Sequence, residues 1–149
     1  MRIFDQTKVV YKHYTYESSG AISGVEVANA LNQNPAQVFK TLVTVAKSKK
    51  YFVFLVPVLS ELDLKKAAAS VDEKSLEMIK QKELLGLTGY IHGGCSPVGM
   101  KKFFTTTVDE SAKDFDTIIF SAGKIGYQVE TSLSELKKVI TFNLALITK

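Results

Sequence analysis

The residue best placed to do chemistry is Lys40, set between Phe39 and Leu42 in the run NPAQVFKTLVTVA, residues 34–46. A lysine inside an apolar strand either sends its ammonium out along the stem or holds a cation at the mouth of a pocket. The second arrangement suits an anionic or carbonyl-bearing ligand. Two glycine turns offer company for it. Gly93-Gly94-Cys95-Ser96-Pro97-Val98-Gly99 carries three glycines and a proline in seven positions. Such a loop either aims several N–H groups at one oxygen, as an oxyanion hole or phosphate nest does, or is a plain tight turn. Ser121-Ala122-Gly123-Lys124-Ile125-Gly126 places a hydroxyl and a lysine on flexible backbone, and Gln128 follows two residues later. It lacks the spacing of a nucleotide-triphosphate loop.

Other catalytic constellations fit less well. Cys95 has His92 three residues before it, but no third residue is identifiable to orient a base, so a small packed cysteine is the simpler reading. Ser96 is not in the Gly-x-Ser-x-Gly spacing of a nucleophile elbow. His13 has no acid or cysteine close by in sequence. One cysteine rules out an internal disulfide, and two histidines make no familiar zinc spacing. Neither metal nor cofactor is expected.

The elements that must hold these residues follow from pattern. Residues 9–16 read as a first strand, and Ser23 with Glu26 as a capping box opening a helix with Val25, Val27, Ala28 and Leu31 on its apolar side. Asn34-Pro35 reads as a cap with proline at the first helical position. After about one turn the β-branched and aromatic run 38–45 predicts a buried strand. Lys47-Ser48-Lys49-Lys50 predicts a hairpin turn into the apolar strand 51–58. Residues 63–69 are helical in propensity with Asp63 at the amino end. Residues 70–82 leave strand and helix open; 84–89 predicts a short helix ending at glycine, and 90–92 a strand. Segments 103–108, 117–120 and 126–131 predict further strands. Ser132 with Glu135 caps a helix through Val139, and 141–148 suggests a last strand or an edge. Strands and helices intermix without a βαβ period, so the fold class is α+β, with a mixed, curved sheet and helices packed around it.

The chain of 149 residues suits one domain, residues 1–149, and its 46% hydrophobic and 23% charged composition is that of an ordinary globular protein. No apolar run approaches the ~20 residues of a membrane span, and the start MRIFDQTKVV lacks the pattern of a secretory signal, so a cytoplasmic location without membrane association is expected. The net charge is +4, with lysines clustered at Lys47, Lys49 and Lys50, at Lys65 and Lys66, at Lys80 and Lys82, and at Lys101 and Lys102. These clusters are either solvated loops or a surface that tracks phosphates.

Several segments carry a resemblance: Tyr14-Thr15-Tyr16-Glu17, Val38-Phe39-Lys40-Thr41-Leu42, Leu62-Asp63-Leu64-Lys65-Lys66, Thr88-Gly89-Tyr90, the loop from Gly93 to Gly99 with Lys101-Lys102, and the turn from Ser121 to Gly126. In this order they resemble the YbaK/EbsC family of aminoacyl-tRNA deacylases, related to the editing insertion domain of bacterial prolyl-tRNA synthetases. The resemblance spans almost the whole chain and implies a barrel-like version of the curved sheet. It implies hydrolysis, in trans to a synthetase, of the ester joining a wrong amino acid to tRNA. Cys-tRNA(Pro), or another small amino acid on tRNA(Pro), is the expected substrate, and prolyl-tRNA synthetase a candidate partner. A non-catalytic module binding tRNA ends or a synthetase is the alternative.

By the same resemblance Lys40 is the catalytic residue. Tyr16, Phe39, Thr41, Gly93, Gly94, Ser96, Pro97, Ser121, Gly123 and Gln128 surround the substrate, and Lys65, Lys101, Lys102 and Lys124 contact the tRNA. Gln128 stands where the cysteinyl-tRNA(Pro) deacylases usually have aspartate, and Cys95 where the family is usually aliphatic. Lys40 would bind the terminal adenosine or polarise the ester carbonyl, and backbone N–H groups of residues 94–96 would receive the oxyanion or position the amino acid. The attacking group would be a bound water or the substrate's own thiol.

Overall fold

The structure is a computed structural model that describes residues 12–15, 31, 33–89, 96, 104–121 and 127–149. Its strands lie in two sheets. The smaller joins β1 (Lys12–Thr15), β6 (Ile118–Ser121) and β7 (Tyr127–Thr131), with β7 in the middle and both ladders antiparallel. The larger is mixed, in the order β4 (Leu76–Met78), β2 (Phe39–Ala46), β3 (Tyr51–Pro57), β5 (Thr105–Asp109), β8 (Asn143–Ala145). Its first two ladders are antiparallel and its last two parallel. Helices α1 (Leu64–Ser70), α2 (Gln81–Thr88) and α3 (Leu133–Leu136) connect them. The class is the expected α+β with a curved mixed sheet. The barrel-like expectation is corrected in one respect: among the described residues the ladders do not close on themselves.

The strand order explains the composition of β3. It sits between β2 and β5 with a core on each face, and Val53, Phe54, Leu55 and Val56 are all fully buried. A strand covered on both sides reads as a continuous apolar run rather than an alternating one. On one face Phe39, Val43, Val53, Leu55, Val108, Phe120, Val129 and Leu136 share a cluster; on the other Ala46, Phe54, Val56, Ala67, Ala68 and Ile147 do. The two-residue period of β2 therefore sends its odd positions to the first core and its even ones to the second.

Local signals behave as their chemistry requires. Asn34 Oδ1 accepts the Ala36 N–H at 3.0 Å and its carbonyl accepts Gln37 N–H at 2.9 Å, which makes a single turn before the strand rather than a longer helix. At the 47–50 hairpin Lys49 takes a φ of 71°. Asp63 caps α1, its Oδ1 accepting from Lys65 N at 2.9 Å and Lys66 N at 3.0 Å. Those bonds, the one to Lys66 foremost, hold the carboxyl below its ordinary range. The open segment 70–82 resolves into β4 and the start of α2, and Gly89, with φ 85°, ends α2 as expected. Ser132 Oγ accepts Glu135 N–H at 3.1 Å, but α3 stops at Leu136, short of Val139. The predicted helix after Ser23, the strand 90–92 and most of the loop 93–99 lie outside the described residues.

Two sets of bonds tie the parts together. A parallel bridge pairs Val38 with Ile119, reinforced by Ile119 N–H to Gln37 O at 3.1 Å, and so sets β6 beside the start of β2. Gln37 Nε2 donates to both Thr117 O and Thr117 Oγ1 at 2.9 Å, and that hydroxyl donates onward to Glu130 Oε2 on β7. At the other end Asp109, almost fully buried, accepts Ile147 N–H on Oδ1 at 3.1 Å and Ser111 N–H on Oδ2 at 3.3 Å. Removing that carboxylate orphans a buried N–H. Asp109→Ala should therefore lower unfolding free energy by about 2–3 kcal/mol in urea denaturation, with Asp109→Asn, which keeps one acceptor, recovering part of it.

Candidate functional site

Lys40 is an even position of β2. It is paired with Val56 and shares its face of the strand with Val38, Leu42 and Thr44. That face meets the small apolar cluster of Val38, Ile119 and Val58 beside the second core. The bridge between Val38 and Ile119 is parallel, so two residues further along each chain come Lys40 and Ser121. Ser121 is in turn the cross-strand partner of Gln128, and Gln128 of Tyr14. A lysine, a serine and an amide thus fall in one row across three strands, over an apolar floor. Phe120 and Val129, their chain neighbours, point the other way into the first core.

The row is short of hydrogen-bond partners. Ser121 Oγ is buried and has none, and the same is true of Gln33 Oε1. Gln128 is buried, and its Oε1 accepts from Gln33 Nε2 at 2.8 Å. Partial burial pushes the Lys40 ammonium below the ordinary lysine pKa, against the opposing attraction of Glu61. Glu61 is held near by the end of the chain. Leu62 bridges Thr148, Asp63 N–H donates to Ile147 O at 2.8 Å, and Lys149 N–H to Glu61 O at 3.0 Å. The Glu61 carboxylate also meets Lys149 Nζ at 3.3 Å, with both side chains mostly exposed, so its pull on Lys40 is shared and screened.

The remaining predicted residues divide sharply. Phe39 is buried in the first core, and Thr41, paired with Leu55, lies on that same side of β2, opposite Lys40. Thr41 Oγ1 is buried and unbonded there. These two hold the strand from behind rather than stand beside the ammonium. Ser96 is fully buried and has an interaction partner. Lys65 is exposed in the first turn of α1. Tyr16, Gly93, Gly94, Pro97, Lys101, Lys102, Gly123 and Lys124 lie outside the described residues, as do His92 and Cys95. Among the described residues no group of three metal-ligating side chains gathers. No helix there is long and apolar enough to cross a membrane.

Sequence reasoning passed over Gln33 and Glu61. Gln33 meets Gln128 from 95 residues away, and no local pattern announces such a pair. Glu61 had one available signal, its place immediately before the Leu62-Asp63-Leu64-Lys65-Lys66 segment.

The chain is similar to known proteins along nearly all of its length. Residues 20–139 match the model of the aminoacyl-tRNA editing domain. A protein of Enterococcus faecalis (strain ATCC 700802 / V583), named as the Cys-tRNA(Pro)/Cys-tRNA(Cys) deacylase EbsC, is 42% identical over 149 residues, covering 99% of this chain and 91% of its own. Among solved structures, a protein described as a trans-editing enzyme for prolyl-tRNA synthetase superposes with a TM-score of 0.84 at 22% identity, over 99% of this chain and 93% of that one. A hypothetical protein does so with a TM-score of 0.88 at 17% identity, over 99% and 97%. At these identities the two structures show a common fold.

A lysine whose folded pKa lies below its unfolded value is less stable charged in the fold than in the open chain. That penalty is present at neutral pH and fades as pH rises through the lowered pKa. Lys40→Met, which fills the same stem without charge, should leave the melting temperature unchanged or raised at neutral pH, a gain that shrinks in alkaline buffer. A clear loss of stability would instead assign Lys40 a structural role.

Proposed function

The chain belongs to the aminoacyl-tRNA editing domain family, and on that premise we propose that it is a trans-acting deacylase. It hydrolyses the ester between a wrongly attached amino acid and the 3′ end of tRNA. The name of the Enterococcus faecalis relative supports Cys-tRNA(Pro) as the substrate, and the fold neighbour described as a trans-editing enzyme supports prolyl-tRNA synthetase as the partner at whose product it works. The observation that carries the reading is the half-buried ammonium of Lys40, in one row with the unbonded Ser121 hydroxyl and the Gln128 amide.

An aminoacyl ester is already activated, so the protein need only hold it and stabilise the charge that develops on its carbonyl oxygen. Water attacks the carbonyl carbon, and the carbonyl electrons move to oxygen. A fixed cation within a partly desolvated cleft is worth more to that oxyanion than the same cation in water. Collapse of the intermediate re-forms the carbonyl and expels the ribose oxygen, which takes up the proton that water brought. With a cysteinyl ester the substrate's thiol can attack instead: the carbon–sulfur bond forms, the ribose oxygen leaves with the thiol's proton, and water then opens the resulting thiolactone, proximity supplying much of the rate. The buried Ser121 hydroxyl, with spare hydrogen-bonding capacity, bonds the ester or the ribose in this reading. Lys65, exposed at the start of α1, meets tRNA phosphates in this reading.

Lys40→Ala should abolish deacylation of Cys-tRNA(Pro) in a single-turnover assay while the protein stays folded. Hydrolysis by that variant at the parent rate would remove the lysine from the mechanism. Salt-sensitive tRNA binding by the parent, with no turnover above spontaneous hydrolysis, would make the chain a binding module instead.

The pH profile gives a second check. If the ammonium is the working form, the enzyme-dependent rate falls as pH rises through the lowered pKa of Lys40, before the ordinary lysine value of 10.5 is reached. Lys40→Arg keeps its charge throughout, so whatever activity it retains should lose this alkaline fall.

A further inference from the structure

We propose that Gln33 determines specificity: its side-chain carbonyl receives an N–H of the substrate's α-amino group, an assignment that rests on the deacylase reading above. Gln33 Nε2 donates to Gln128 Oε1 at 2.8 Å, which fixes both amides and occupies one lone pair of the Gln128 carbonyl. The amide acceptor with no bond at all is Gln33 Oε1, which is buried. Ser121 Oγ, across the strand from Gln128, is a second buried oxygen in the same condition. A buried carbonyl with no partner is rare in folded proteins, because it has given up water and received nothing in return. Its ligand must bring a donor.

The donors on an aminoacyl ester are few. A cysteine thiol donates weakly, and a ribose hydroxyl brings one hydrogen that Ser121 alone can receive. The α-amino group brings two or three N–H donors and matches a pair of acceptors. The pair is uncharged, so it takes up the amine through hydrogen bonds and leaves the lysine charge for the ester. The contact is one that only the folded chain can assemble, since Gln33 and Gln128 are 95 residues apart.

The test compares Cys-tRNA(Pro) with the same tRNA esterified to mercaptopropionate, which keeps the thiol and lacks the α-amino group. Parent, Gln33→Met and Gln33→Glu proteins are assayed on both, each rate corrected for spontaneous hydrolysis of its ester. Gln33→Met should lower kcat/KM about tenfold on the cysteinyl ester and leave the mercaptopropionyl ester unchanged, as loss of one substrate hydrogen bond predicts. Gln33→Glu retains an acceptor, to which the Gln128 amide can turn its N–H₂, and should keep the parent's preference for the amine. Equal losses on both esters in Gln33→Met, or none on either, would overturn the assignment and leave the deacylase reading standing. Failure of the parent to hydrolyse either ester would remove that reading, and this assignment with it.

Discussion

The parallel bridge between Val38 and Ile119 is the contact on which the rest of this structure depends. Neither sheet alone contains the site. The larger brings Lys40 on β2, and the smaller brings Ser121 and Gln128 on β6 and β7. Only where the start of β2 lies beside β6 do the three enter one row. The bridge is secured on each side of its own pairing. Val58 N–H donates to Val38 O at 2.8 Å, Ile119 N–H to Gln37 O, and the Gln37 side chain grips Thr117 through two bonds. The apolar contact of Val38, Ile119 and Val58 keeps water from competing for those bonds.

The cation in that row is held under tension of a specific kind. Burial disfavours the Lys40 charge, and Glu61, the carboxylate among the described residues that pulls the other way, is largely exposed and shared with Lys149. The polar groups in the row with Lys40, among the described residues, are neutral: the Ser121 hydroxyl and the Gln128 amide, with the Gln33 amide bonded to the latter. Their unused oxygens are what the fold tolerates at such sites, where local bonding is incomplete because a ligand completes it.

Much of this was legible before any coordinates. Asp63 as a cap, the 47–50 hairpin, the buried strand after Asn34-Pro35 and the glycine ending α2 each depend on a few neighbouring residues, so their chemistry can be read in place. Lys40 also announced itself, because a charge inside an apolar run is a local anomaly. The limits were equally physical. Segment 70–82 gave no period to separate helix from strand, and β4 there is three residues long and exists by pairing with β2. Helix α3 ends a turn early although its Ser132 cap is intact, because a cap starts a helix without setting its length.

The site shows the same division more sharply. By itself the sequence determined which residue types were available: a lysine in an apolar strand, a serine before a glycine turn, a glutamine just past it. It did not part Lys40 from Phe39 and Thr41, which the resemblance grouped together and the folded strand sets on opposite faces. Tertiary structure alone decided which face each row turned toward, that β6 would lie beside β2, and that Gln33 would reach Gln128. Those facts rest on bonds between residues far apart in the chain, whose partners are selected by the packing of two cores and not by any neighbour in sequence.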